Sequence, residues 1–168
     1  MSTNNSYIRP VMQQVINNST SWIGTGKGVH NELISGQTFI ATAEGDIDSI
    51  EVFSSIVTTP GKVQMTVHNY DPHQKSWGSA LGKATVEFGK ENTGKWISFK
   101  IPGIHINKGD SYGFRLESPN SYIGMGEAAG THQQPPFTNG QEWQFTKNDQ
   151  KGNSFSYFSL AFKVALRA

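Results

Sequence analysis

KVQMTVHNY, residues 62–70, decides the fold class. Val63, Met65 and Val67 alternate with Gln64, Thr66 and His68. That period of two lays apolar side chains on one face of a strand and polar ones on the other. The neighbouring segments repeat the pattern. Upstream, TTPGK (58–62) supplies Pro and Gly for a turn, preceded by IDSIEVFSSIV (47–57) and QTFIAT (37–42). Downstream come LGKATVEF (81–88), WISFKI (96–101), HINKGDSYGFRLES (105–118), SYIGMGEAA (121–129), EWQFTK (142–147) and SFSYFSLAFKVAL (154–166). This makes about nine or ten strands with turn signals between them, and no sustained helical period.

The expected fold is therefore all-β, an antiparallel two-sheet β-sandwich of the jelly-roll type. An immunoglobulin-like arrangement is the alternative. Residues 37–168 read as a single β-sandwich domain, with Trp96 and Phe99 in its core. Residues 1–36 are polar and glycine-rich and read as an irregular N-terminal arm packing on the sandwich. Within the arm, RPVMQQVINN (9–18) sets Val11, Met12, Val15 and Ile16 near helical spacing. It reads either as a short helix begun at Pro10 or as extended chain.

Composition narrows the function classes. The 168 residues carry 14 basic and 13 acidic side chains, a formal net charge of +1. This mixed balance lacks the basic stripe that neutralises phosphates, so no nucleic-acid partner is expected. No segment approaches the roughly 18 apolar residues of a membrane span. The absence of cysteine excludes disulfides, thiolate nucleophiles and cysteine-held zinc. The first twenty residues lack a basic head and apolar run, so localisation is open: cytoplasmic, exported by a non-classical route, or shorn of a signal.

Taken in order, QTFIATAEGDIDSIEVF, KVQMTVHNYDP, GSALGKATVEF, GKWISFKIPGIHINKGDSYGFRLES and YFSLAFKV resemble a bacterial β-sandwich accessory domain, of the jelly-roll, galactose-binding-like and carbohydrate-binding kind found on secreted or surface proteins. The likeness spans about residues 37–164. It implies the jelly-roll fold and a glycan or surface polysaccharide as partner, and it carries over no ligand residue.

EGDIDSIE (44–51) resembles the E-I-D-x-x-E core of a family of jelly-roll glycoside hydrolases. In it Asp46 would stand for the first Glu, Asp48 for the middle acid and Glu51 for the acid/base. A retaining pair sits about 5–5.5 Å apart. Simple alternation sends Asp46 and Glu51 to opposite faces unless a β-bulge intervenes. The expectation is no catalytic residue, with this small hydrolase as a remote alternative. His30, His68, His73, His105 and His132 are scattered. His68, Asp71 and His73 are the nearest to a ligand set, and no metal or cofactor is expected.

Two loops combine aromatic and polar residues as sugar binding requires, rings for the C–H faces and fixed polar groups for the hydroxyls. HNYDPHQKSWG (68–78) supplies Tyr70, Asp71, His73 and Trp77. THQQPPFTNGQEWQ (131–144) supplies Phe137, Asn139, Glu142 and Trp143. The expected function is a non-catalytic carbohydrate-binding module using these eight residues. The alternative is a structural or interaction subunit that forms a homo-oligomer through Trp22 in the arm or through Phe155, Tyr157 and Phe158.

Overall fold

The computed structural model describes residues 8–26, 28 and 31–167. His30 lies outside them. The described chain forms fourteen strands: β1 (Ile8–Gln14), β2 (Ser19–Gly24), β3 (Leu33–Ile40), β4 (Gly45–Thr59), β5 (Gly61–Asp71), β6 (Ser76–Phe88), β7 (Lys95–Lys100), β8 (His105–Ile106), β9 (Ser111–Glu117), β10 (Tyr122–Ala129), β11 (Glu142–Thr146), β12 (Asp149–Phe155), β13 (Phe158–Leu160) and β14 (Phe162–Arg167). A single 3-10 turn, Lys90–Asn92, is the one helical element among the described residues. No helix there is long and apolar enough to cross a membrane.

Every pairing is antiparallel, and the strands form one hydrogen-bonded, curled sheet. One run of neighbours is β6-β5-β9-β3-β11-β12. The other is β1-β14-β4-β10-β2, with β7 and β8 also on β4 and β13 on β10. The runs join where Gly24 of β2 meets Leu33 of β3.

Alternation builds the core between the runs. Val63, Met65 and Val67 of β5 are fully buried. They lie beside Leu116 and Phe114 of β9. From the other run, the Phe162 ring packs 6.1 Å from Phe39 and 5.7 Å from Phe114. Burial of each such ring contributes about 2–3 kcal/mol.

Two sequence expectations change here. The arm is not irregular: residues 8–14 pair with β14 and residues 19–24 with β10. Extended backbone wins over helix because both edges were free to be paired, and Met12 buries into the core. Trp96 is not a core residue. Ile97 and Phe99 point inward, so Trp96 faces outward with Phe53, 5.4 Å away. The last predicted strand is also divided, by a turn at Ser156–Tyr157, into the end of β12, then β13 and β14.

Candidate functional site

The β5–β6 connection is held by its own aspartate. Asp71 Oδ1 accepts hydrogen bonds from the backbone N–H groups of His73 (2.9 Å) and Gln74 (3.2 Å). Such a side-chain turn suits Asp. Lys75 closes it at φ 51°, the left-handed region. The turn brings Tyr70 opposite Trp77 and Asp71 opposite Ser76. His73 is exposed at the tip.

Residues 139–141 extend the pairing of β11 along β3. The Thr38 N–H donates to the Gln141 carbonyl and the Ile40 N–H to the Asn139 carbonyl, each at 2.9 Å. The Gln141 N–H donates to Thr38 Oγ1 at 3.0 Å. Pro135 and Pro136 carry no N–H, so they fit here only as loop. Phe137 turns its edge to Phe162, with centroids 5.3 Å apart, and anchors the segment to the core.

The two loops thus meet. Between them opens a cleft of about 210 Å³. Tyr70, Pro72 and Lys75 line one side, Thr138, Asn139 and Gln141 the other, and Phe39 and Ile40 the floor. Burial, with Asp71 adding, pushes the Tyr70 phenol up, so it stays protonated and able to donate. Of the eight residues singled out by sequence, Tyr70 and Asn139 line this cleft. Asp71 and His73 belong to the turn beside it.

Trp77 and Trp143 occupy a different place. Gly36 and Gly113 leave a bare patch on the outer face of β3 and β9, and the Trp77 ring lies on it. Around it, edge-on, stand Trp143 (5.9 Å), Tyr70 (5.6 Å), His68 (5.5 Å) and Phe145 (5.6 Å). Phe145 stacks on Trp143. The Arg115 guanidinium sits 3.9 Å from the Phe145 centroid and 4.7 Å from that of Trp77. Trp143 is only 4% exposed. The expectation that its indole face is open to a ligand is corrected: neighbouring rings cover it. Trp77, half-buried, supports Tyr70 from behind.

His68 belongs to the same cluster. Its Nδ1 lies 2.9 Å from the Gly78 carbonyl oxygen, which can only accept, so Nδ1 carries the proton. Burial lowers its pKa, with Arg115 adding to the effect. A neutral imidazole results. Among the described residues no group of three or more His, Asp or Glu side chains is placed to hold a metal.

Glu142 faces the other way. Alternation along β11 puts Trp143 and Phe145 on the outer face, so Glu142 points inward, fully buried. Its expected role in hydrogen bonding a ligand is corrected. It meets Glu127 of β10, which is also buried. Burial, then the Glu127 carboxyl, pushes Glu142 up to about 10.

Asp46 and Glu51 are brought to one face after all. A bulge in β4, where the register against β14 slips between Ala165 and Leu166, absorbs Asp48. Strand rise still sets the pair roughly 15 Å apart, far beyond the spacing of a retaining pair. Asp46 is bonded to His105 at 2.7 Å.

Sequence reading missed Lys75, Pro72, Ile40 and Gln141 in the cleft. Lys75 and Pro72 sit inside the quoted 68–78 stretch, and their signal was proximity to Tyr70. Nothing local pointed to Ile40. No protein-family model matches the chain, and no curated protein matches it in sequence.

Proposed function

We propose that the chain is a non-catalytic carbohydrate-binding module of the jelly-roll sandwich type, taking a sugar residue of a glycan or surface polysaccharide in the cleft between the 71–75 turn and the 138–141 segment. The observation that carries this reading is the convergence of the two aromatic–polar loops on one cleft. Tyr70 offers a ring against sugar C–H groups. Asn139, Gln141, Lys75 and the Tyr70 hydroxyl surround it with donors and acceptors, the division of labour that sugars require. The volume, below the roughly 300–1,000 Å³ of drug-sized sites, suits one ring of a longer chain. Trp77, Trp143 and Phe137 hold the walls, and Asp71 shapes the turn.

The test is a glycan array followed by calorimetry, with wild type, Asn139→Ala and Tyr70→Phe. Binding weakened about 10-fold or more, at unchanged melting temperature, supports the reading. A wild type that binds no glycan sinks it.

A second reading, a homo-oligomeric interaction subunit, is favoured by the outer face of β2, β10 and β4. There Trp22 stacks on Tyr122 at 4.5 Å beside Ile56, which is 43% exposed. Light scattering of wild type and Ile56→Glu distinguishes it: a stable oligomer dissolved by the charge is required.

A further inference from the structure

A second cleft, of about 270 Å³, lies at the other end of β3, β5 and β9. Strand rise puts it roughly 20 Å from the Tyr70 cleft, counting from Gln64 to Tyr70 along β5. Its floor is one row across three strands: Glu117 of β9 faces Gln64 of β5, which faces Thr85 of β6. Glu32 closes one side from just before β3. It is fixed there by its carbonyl, which accepts the Lys147 N–H at 2.9 Å. Lys62, Lys147 and Pro119 complete the lining.

Two features set this cleft apart. Glu32 is only 8% exposed, yet its Oε2 has no hydrogen-bond partner among the described residues. A buried carboxylate oxygen left unpaired is costly, and a donor brought to it is correspondingly favoured. Second, two carboxylates and two ammonium groups line the same space without closing on each other. The ion pairs among the described residues join Lys100 and Arg167 to Asp48, and His105 to Glu44 and Asp46. None involves Glu32, Glu117, Lys62 or Lys147.

We propose that this cleft binds a small zwitterion, an amino acid-like ligand whose ammonium group meets Glu32 and Glu117 while its anionic group meets Lys62 and Lys147. A bare cation would gain at the carboxylates and be repelled by the lysines, and a bare anion the reverse. A ligand bearing both charges uses all four groups, the Glu32 carboxyl among them. The neutral Gln64 and Thr85 fill the span between. Burial pushes the Glu32 carboxyl up and Glu117 adds to this, while Lys147 and the Ser118 backbone N–H oppose it. An incoming ammonium would draw it down again.

The test is titration calorimetry with glycine, β-alanine and γ-aminobutyrate, against propylamine, propionate and calcium chloride. At least one amino acid should bind with a Kd below about 10 mM, at least 10-fold tighter than either single-charge probe. Glu32→Gln and Lys147→Met should each weaken it about 10-fold, while any glycan binding at the Tyr70 cleft is unchanged. Lys147 is exposed in a turn, so its variant decides the matter even if Glu32→Gln fails to fold. Calcium or propylamine binding as tightly as the amino acids overturns the proposal. So does the absence of binding by all three amino acids, or undiminished binding by Lys147→Met.

Discussion

The Glu142 carboxyl lies buried beside that of Glu127 in the protein interior, its Oε2 accepting from Gln144 Nε2 at 3.4 Å and its Oε1 without a partner among the described residues. Removal from water, and then the neighbouring Glu127 carboxyl, disfavour its charged form and raise Glu142 from 4.5 to about 10. The sign follows from linkage. A carboxyl with a raised folded pKa contributes stability fully below its unfolded value. That contribution is lost as pH climbs towards the folded value, at most about 1.4 kcal/mol per pH unit. Melting temperature should therefore fall between pH 5 and pH 9. Glu142→Gln keeps the shape and cannot be forced to ionise beside Glu127, so it should flatten that fall and melt above wild type at pH 9. Thermal melts across the range check it; an unchanged slope in the variant refutes a buried, protonated Glu142.

Asp48 should produce the opposite dependence at the acid end. It is buried in the β4 bulge and accepts from Lys100 Nζ at 2.9 Å and Arg167 Nε at 3.2 Å. Burial alone would raise its pKa, but the Lys100 and Arg167 hydrogen bonds outweigh that and hold it below 3.8. A depressed carboxyl contributes stability above its unfolded value and loses it as pH falls through the folded one. Asp48→Asn should cost about 1–2 kcal/mol at pH 7, a modest figure because both cations reach solvent. The gap between wild type and variant, measured by urea unfolding, should close below about pH 4.

The strands that were legible in the sequence are those with one apolar face. Residues 62–70 read correctly because Gln64 and Thr66 face away from the core while Val63 and Met65 face into it. Residues 142–146 misled because both faces of β11 are covered. There the two tryptophan-bearing loops meet to bury Trp143, and the charged residue is the one turned inward. The arm was illegible for a related reason. Ile8–Gln14 has no clean alternation, and only the free edge of β14, far away in sequence, makes it a strand. The bulge at Asp48 likewise depends on β14, which is why the facing of Asp46 and Glu51 could not be read locally.

Lys75 carries the one left-handed backbone among the described non-glycine residues, at φ 51°. That conformation costs an L-residue roughly 1–2 kcal/mol, which glycine escapes. Lys75→Gly should therefore raise stability, by up to about 1 kcal/mol once glycine's greater unfolded freedom is subtracted. The same change removes a charged wall of the Tyr70 cleft. A variant that melts higher yet binds glycan more weakly would mark Lys75 as a residue retained for the site, whereas equal stability would mean the turn carries no strain.

Gly113 and Trp77 should be coupled by sterics alone. Gly113 has no left-handed requirement, but a Cβ there would lie 2.5 Å from Trp77 Cζ3 and 2.6 Å from Cη2, with the Gln37 carbonyl oxygen 3.2 Å away. The ring cannot retreat without parting from Trp143, Tyr70, His68 and Phe145. Gly113→Ala should thus cost about 1–3 kcal/mol and alter tryptophan fluorescence. Trp77→Leu should cost about 2–3 kcal/mol for the lost ring, and in that background the added methyl has room. A double-mutant cycle should then show Gly113→Ala cheaper by at least about 1 kcal/mol when Trp77 is absent. Additive costs would mean that something other than the indole excludes the methyl, and the glycine patch would not be the seat of the ring.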